Sequence, residues 1–174
     1  PTDTLRGLLQ DKQKNIWVLT QQGVSIYNEQ SRHFVNFYNP FKQDYNNYFE
    51  SEREIVDLHQ RQNGELMWGD RKSLFFFNPV THAFKSMKLP QLNVHGVRWI
   101  RTGPDDKDYF ENGGEIYEYS DHKGLKVLVK KSDDKPFDAC SFMVDRSGLI
   151  WIGTNAGGVR QISLNTPYFK PYQY

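Results

Sequence analysis

The chain has almost no cysteine: Cys140 is alone among 174 residues, which excludes an internal disulfide. It stands in an apolar run and reads as a buried small side chain, not a nucleophile. Neither charge sign dominates, since 22 Lys and Arg meet 21 Asp and Glu for a net charge of +1. No basic cluster breaks that balance, so the electrostatic footprint of a nucleic-acid binder is missing. Apolar stretches last only a few residues, and none could cross a bilayer as a helix. No leader of basic and then apolar residues opens the chain. Its abrupt start and end instead suggest a piece of something longer. The five histidines (His33, His59, His82, His95 and His122) never fall at metal-ligand spacing, and with one cysteine neither a zinc site nor any other cofactor is expected. No serine lies in a nucleophile elbow.

Aromatic residues and an internal repeat are abundant. Phe, Tyr and Trp make up 15% of the chain, a composition that suits strands and sheet-on-sheet packing. The phrase SGLIWIGTNAGGV from Ser147 to Val159 recurs upstream in degraded form, as KNIWVLTQQGVSIY, GELMWGDRKSLFFF and KDYFENGGEIYEY. With Trp17, Met67, Tyr109 and Trp151 as equivalent positions, the spacings are 50, 42 and 42 residues. A period of about 40–45 residues is that of one four-stranded propeller blade. The expected fold is therefore all-β: a β-propeller fragment of about four four-stranded antiparallel blades. They fall near residues 5–38, 55–88, 97–131 and 140–172, within a single region 1–174. No convincing helical period remains. Only Asn47–Glu54 could make a helical turn.

The turn between the first two strands of each blade carries the clearest local chemistry. Asp145-Arg146-Ser147-Gly148 places an Asx-type acceptor first and a glycine where positive φ is needed. Asp11 to Asn15, Gln62-Asn63-Gly64 and Asp105 to Asp108 are looser versions. These carboxylates read as turn formers, because a calcium loop needs alternating ligands over about twelve residues and a terminal Glu. In the following strand, Leu149, Trp151 and Gly153 face one way and Ile150, Ile152 and Thr154 the other. Both sets are largely apolar, as in a sheet buried on both faces. Trp17 and Trp151 are thus expected to pack between blades. Gly113-Gly114 and Gly157-Gly158 permit tight crossings to the third strand. A phosphate cradle there would need a helix N-terminus.

The run from Asp145 to Val159 resembles the two-component regulator propeller repeat, with its Asp-x-x-Gly turn, Trp-Ile-Gly-Thr strand and Gly-Gly crossing. The last repeat matches almost fully. The first keeps Asp11, Ile16-Trp17, Thr20 and Gly23, with Asn15 where the turn glycine would be, and the middle two have drifted to Met67 and Tyr109. The resemblance implies the periplasmic sensor region of a hybrid two-component system histidine kinase of gut Bacteroidetes, whose parent is anchored in the inner membrane and responds to oligosaccharides. No kinase, receiver or DNA-binding motif occurs in the chain. Four blades of a larger ring would leave apolar end faces, so self-association or packing against further blades is expected.

Binding chemistry should gather where the blade-to-blade connectors and the crossings between second and third strands open. There Trp68, Asp70, Arg71, Trp99, Asn112 and Asn155 mix amide, carboxylate, guanidinium and aromatic groups suited to an oligosaccharide ligand. The competing explanation is that loops are polar because water solvates them. No nucleic-acid or membrane contact is expected. Two functions follow: a sensor-input module, or a non-catalytic scaffold for dimerisation. A third, weaker one is a polysaccharide-active enzyme using carboxylates such as Asp70 and Glu111. His59 and His95 lie in or beside first strands near the ring axis. Some antibiotic-inactivating lyases use related propellers with a catalytic histidine, yet no motif supports that transfer.

Overall fold

The computed structural model describes residues 5–41, 57–70, 72–89, 96–130, 139–155 and 157–163. Every regular element among them is a strand. The first sheet is β1 (Leu5–Gln10), β2 (Ile16–Thr20), β3 (Gly23–Asn28) and β4 (His33–Tyr38). The second is β5 (His59–Gln60), β6 (Leu66–Gly69), β7 (Ser73–Phe77) and β8 (Phe84–Lys88). The third is β9 (Arg98–Thr102), β10 (Asp108–Asn112), β11 (Glu115–Ser120) and β12 (Gly124–Val129). The fourth is β13 (Ala139–Val144), β14 (Leu149–Thr154) and β15 (Gly158–Ser163). Each is an antiparallel meander with strands in chain order. The expected sixteenth strand at Tyr168–Tyr172 and the expected helical turn at Asn47–Glu54 lie outside the described residues.

The chain divides into two compact units, Pro1–Leu92 with the first two sheets and Asn93–Tyr174 with the last two. In the first unit, Trp17, Leu19 and Val24 meet Leu66, Trp68, Phe75 and Phe77 in one buried cluster. Register partners share a face, and the pairs Leu66–Phe77 and Trp68–Phe75 show which face of the second sheet turns inward. In the second unit, Tyr109 and Ile116 pack with Phe142, Ile150 and Ile152. The middle strands β6 and β10 are buried at every residue: β6 is accordingly apolar without alternation, whereas β10 buries Asp108, Glu111 and Asn112 beside its two aromatic rings. The outer strands β4 and β8 are mostly exposed.

The repeat holds for Trp17 but not for Trp151. Trp17 is 2% exposed and meets Phe77 edge-on with ring centroids 5.7 Å apart. Trp151 is only half-buried and lies outside the cluster that takes Ile150 and Ile152. It shares its sheet face with its register partner Met143, which is 52% exposed. The expectation that both tryptophans pack between sheets is thus met at Trp17 only.

Bulges refine the first strand of three sheets. Register slips at Leu5/Gly7, at Tyr109/Glu111 and at Ala139/Ser141 each insert one extra residue on β1, β9 or β13. In β13 that residue is Cys140, which the bulge leaves without a ladder partner. Cys140 is accordingly exposed, against the buried position its apolar neighbours implied.

Candidate functional site

In each sheet a four-residue turn joins the first two strands, and the residue closing that turn has positive φ: Lys14 (69°), Gly64 (89°), Asp106 (59°) and Gly148 (82°). The left-handed position in the first repeat is therefore Lys14. Asn15, assigned to it from the sequence, follows it and donates its N–H to Asp11 Oδ1 at 2.8 Å. Two of the turns clasp a tryptophan. Asp11 Oδ2 accepts from Trp17 Nε1 at 2.8 Å, and Asp145 Oδ2 accepts from Trp151 Nε1 at 2.8 Å. The turn carboxylates thus have a second task that turn chemistry alone did not reveal: each satisfies an indole six residues later. In the drifted repeats both partners change together. Arg61 replaces the aspartate in the second, binds Glu65 Oε2 at 2.9 Å, and Met67 asks for no acceptor. In the third the position is Gly103, and the Tyr109 hydroxyl donates instead to Asp105 Oδ2 at 2.7 Å. A Cβ on Gly103 would lie 2.7 Å from Tyr109 Cε2, so the bare glycine makes room for the ring.

These hydrogen bonds set the acidity of the clasps. Burial works to raise the Asp11 carboxyl, but the Asn15 side chain, the Trp17 indole and backbone amides outweigh it and hold it below the usual carboxylate range. The Ser147 hydroxyl, the Trp151 indole and the Leu149 amide hold Asp145 well below that range. A carboxyl lowered in the folded state lends stability that is complete above its unfolded value, about 3.9. That stability is lost as the pH falls through the folded value. Asp145→Asn should therefore be less stable than wild type at neutral pH, with the gap closing as the pH drops below about 4. Urea midpoints measured across that range check it, and a pH-independent gap would contradict it.

The sequence-derived ligand residues meet different fates. Trp68 is 2% exposed, stacked on Phe75 at 5.6 Å inside the first unit's core, with its indole N–H unpartnered among the described residues. It is a core residue and presents no face to a ligand, because its position on β6 turns it toward the first sheet. Asn112 is fully buried and donates through Nδ2 to the Gly96 carbonyl at 2.7 Å, so it ties the entry of β9 to the end of β10. Asp70 is half-buried and accepts from the Lys72 N–H at 2.8 Å. Burial pushes its carboxyl up, against the backbone N–H groups of Lys72 and Ser73. Asn155 is exposed at the crossing after β14. Arg71, His95 and most of the long connectors lie outside the described residues. Among the described residues no His, Cys, Asp and Glu cluster could hold a metal ion.

Trp99 is the candidate with unusual geometry. It sits in the β9 bulge at φ 51°, a backbone region costing about 1–3 kcal/mol for a bulky residue. One ring face is covered by the guanidinium of Arg98, 4.7 Å from the centroid, and the ring also packs against the second unit's core. That face of Trp99 is thus taken by Arg98 and is not open to a sugar. Arg98 is in turn held by its register partner Glu111: Nε donates to Glu111 Oε2 at 2.9 Å, and Glu111 Oε1 accepts the Gly114 N–H at 2.6 Å. Glu111 is 0% exposed, so the carboxylate considered for catalysis serves an ion pair and a turn. The Gly113-Gly114 crossing that carries this amide has φ of 60° and 88°, the two-residue turn the sequence implied. Nothing in the sequence singles out Arg98, because only the bulge brings it opposite Glu111.

Comparison with solved structures identifies the architecture. The chain matches the extracellular domain of a protein described as a hybrid two-component system of B. thetaiotaomicron, at TM-score 0.68 and 17% identity over 92% of this chain and 21% of that one. A second extracellular domain so described, from the same organism, matches at TM-score 0.59 and 18% identity over 91% of this chain and 20% of its own. Virginiamycin B lyase from Staphylococcus aureus matches at TM-score 0.66 and 14% identity over 94% of this chain and 56% of the enzyme. The fold is that of a β-propeller. The four sheets are its blades, and a four-residue turn joins the first and second strand of each, clasping a tryptophan in the first and last. The chain spans about a fifth of the two-component proteins' domains and just over half of the lyase. At such identities the likeness is one of fold. No family model and no curated protein matches the chain.

Proposed function

We propose that this propeller region belongs to the periplasmic sensor-input part of a hybrid two-component system, where it is non-catalytic and responds to an oligosaccharide. The parent would be a histidine kinase anchored in the inner membrane. The observation that carries this reading is the match of nine-tenths of the chain to extracellular domains of such systems. The repeat from Asp145 to Val159, whose clasp now has a physical role, supports it. So does the engagement of Glu111 in a buried ion pair, which removes it as a free catalytic acid. The lyase likeness favours an enzyme only through fold, and fold alone does not transfer chemistry. Signalling in a sensor of this kind proceeds by rearrangement of bistable contacts on ligand binding.

A scaffold reading rests on a different observation. The first sheet exposes Leu8 and Tyr38, each 63% exposed, and the last sheet exposes Val159 at 67%. Such faces suit self-association or a further blade. A thermal-shift screen against neutral and acidic oligosaccharides separates the two. Ligand at a hundred times its dissociation constant should add about 2.7 kcal/mol of stability, a plain rise in melting temperature. A saturable shift with one glycan class supports the sensor. No shift from a folded sample whose mass by light scattering grows with concentration supports the scaffold, and depolymerised glycan would mean an enzyme.

A further inference from the structure

The end of the third blade holds an arginine prepared for a partner that the described residues do not supply. Arg98 uses only Nε on Glu111, and its side chain is 35% exposed while that of Glu111 is 0% exposed. Neither Nη1 nor Nη2 has a hydrogen-bond partner among the described residues, and the Trp99 indole N–H donates to none of them either. The guanidinium plane is fixed on two sides, by the buried carboxylate at its Nε edge and by the Trp99 ring beneath it. The Trp99 backbone is held in a left-handed conformation that places the ring there. Strain of this kind survives where the surroundings over-determine it, and it gathers at ligand clamps.

We propose that Arg98 is an oxyanion-recognition residue, and that the ligand of this blade is a saccharide bearing a carboxylate or sulfate. The two Nη groups form a planar fork that matches a pair of oxygens on one oxyanion, whereas a sugar hydroxyl meets only one arm. The Trp99 N–H, on the ring that carries the guanidinium, is a further donor. Glu111 takes up its negative charge on the buried side, through Arg98 Nε and the Gly114 amide, and orients the outward edge of the guanidinium without covering it. Trp99 is then a positioning residue for Arg98 and not a stacking platform for sugar. The inference rests on the sensor reading for its choice of a saccharide, and on geometry alone for its oxyanion.

Calorimetric titration of the 174-residue chain with four probes tests both parts: a hexuronate-containing disaccharide, its neutral hexose counterpart, a sulfated disaccharide, and succinate. The acidic sugars should bind and the neutral one should bind at least about tenfold more weakly. Arg98→Lys keeps the charge facing Glu111 but lacks the fork, and should weaken acidic-sugar binding about tenfold with little change in melting temperature. Trp99→Phe keeps a ring under Arg98 but removes the N–H, and should weaken it by a smaller factor. Equal binding of neutral and acidic sugars, unchanged affinity in a folded Arg98→Lys, or no binding of any probe to wild type would overturn the proposal. Neutral-sugar binding indifferent to Arg98→Lys would leave the sensor reading standing without it. Succinate binding sensitive to Arg98→Lys, with no sugar bound, would uphold the oxyanion assignment and overturn the saccharide. If Arg98→Lys does not fold, the selectivity of wild type among the four probes decides.

Discussion

Trp17→Ala should lower the stability of the first unit by about 3–5 kcal/mol. The indole is 2% exposed and lies between Phe37 at 6.2 Å and Phe77 at 5.7 Å, so its removal empties the centre of a cluster that the two sheets share. Asp11 would lose one of its side-chain donors but keep Asn15, so the turn itself should survive. Urea unfolding followed by circular dichroism should show a lower midpoint at an unchanged slope. A loss below about 1 kcal/mol would mean that this contact does not hold the two sheets together.

In the last blade the order of importance inverts. Ile150 is fully buried among Tyr109, Ile116, Phe142 and Ile152, and Ile150→Ala should cost about 2–5 kcal/mol. Trp151, the larger residue and the better match to the repeat, is half-buried on the opposite face. Trp151→Ala should cost about 1 kcal/mol, most of it from the loss of its bond to Asp145 at 2.8 Å. If Trp151→Ala proved as damaging as Trp17→Ala, that face must be covered in solution, by a second copy or a further blade. Measuring both variants of this blade over a range of protein concentrations distinguishes the two, since only cover by a second copy depends on concentration.

How far the sequence could be read depended on how local each feature was. Gly148 and Gly113-Gly114 announced their turns because positive φ is a property of a few adjacent residues. The left-handed site at Lys14 reads one position late in the sequence, because a lysine gives no sign of occupying it. The exchange of Asp–Trp for Gly103–Tyr109 looked like drift in a string of letters, and only the Tyr109 hydroxyl on Asp105 shows that the clasp was rebuilt. Trp68 and Asn112 look like ligand residues in the sequence because they border polar crossings. In a strand buried on both faces, nothing in the letter pattern tells which side chain turns inward. Cys140 shows the reverse error, an apolar run broken by a bulge that no pattern announced.

By itself the sequence determined the blade: its period, its turn chemistry, and the alternation that pairs each strand with the next. These rest on φ preferences and on contacts within about ten residues, which the order of side chains specifies directly. Tertiary structure alone decided which tryptophan is core and which is half-exposed, because that depends on whether another sheet lies opposite. It also decided that Arg98 stands before Glu111 with its fork outward, since one extra residue in β9 shifts the register and with it every cross-strand partner beyond the bulge.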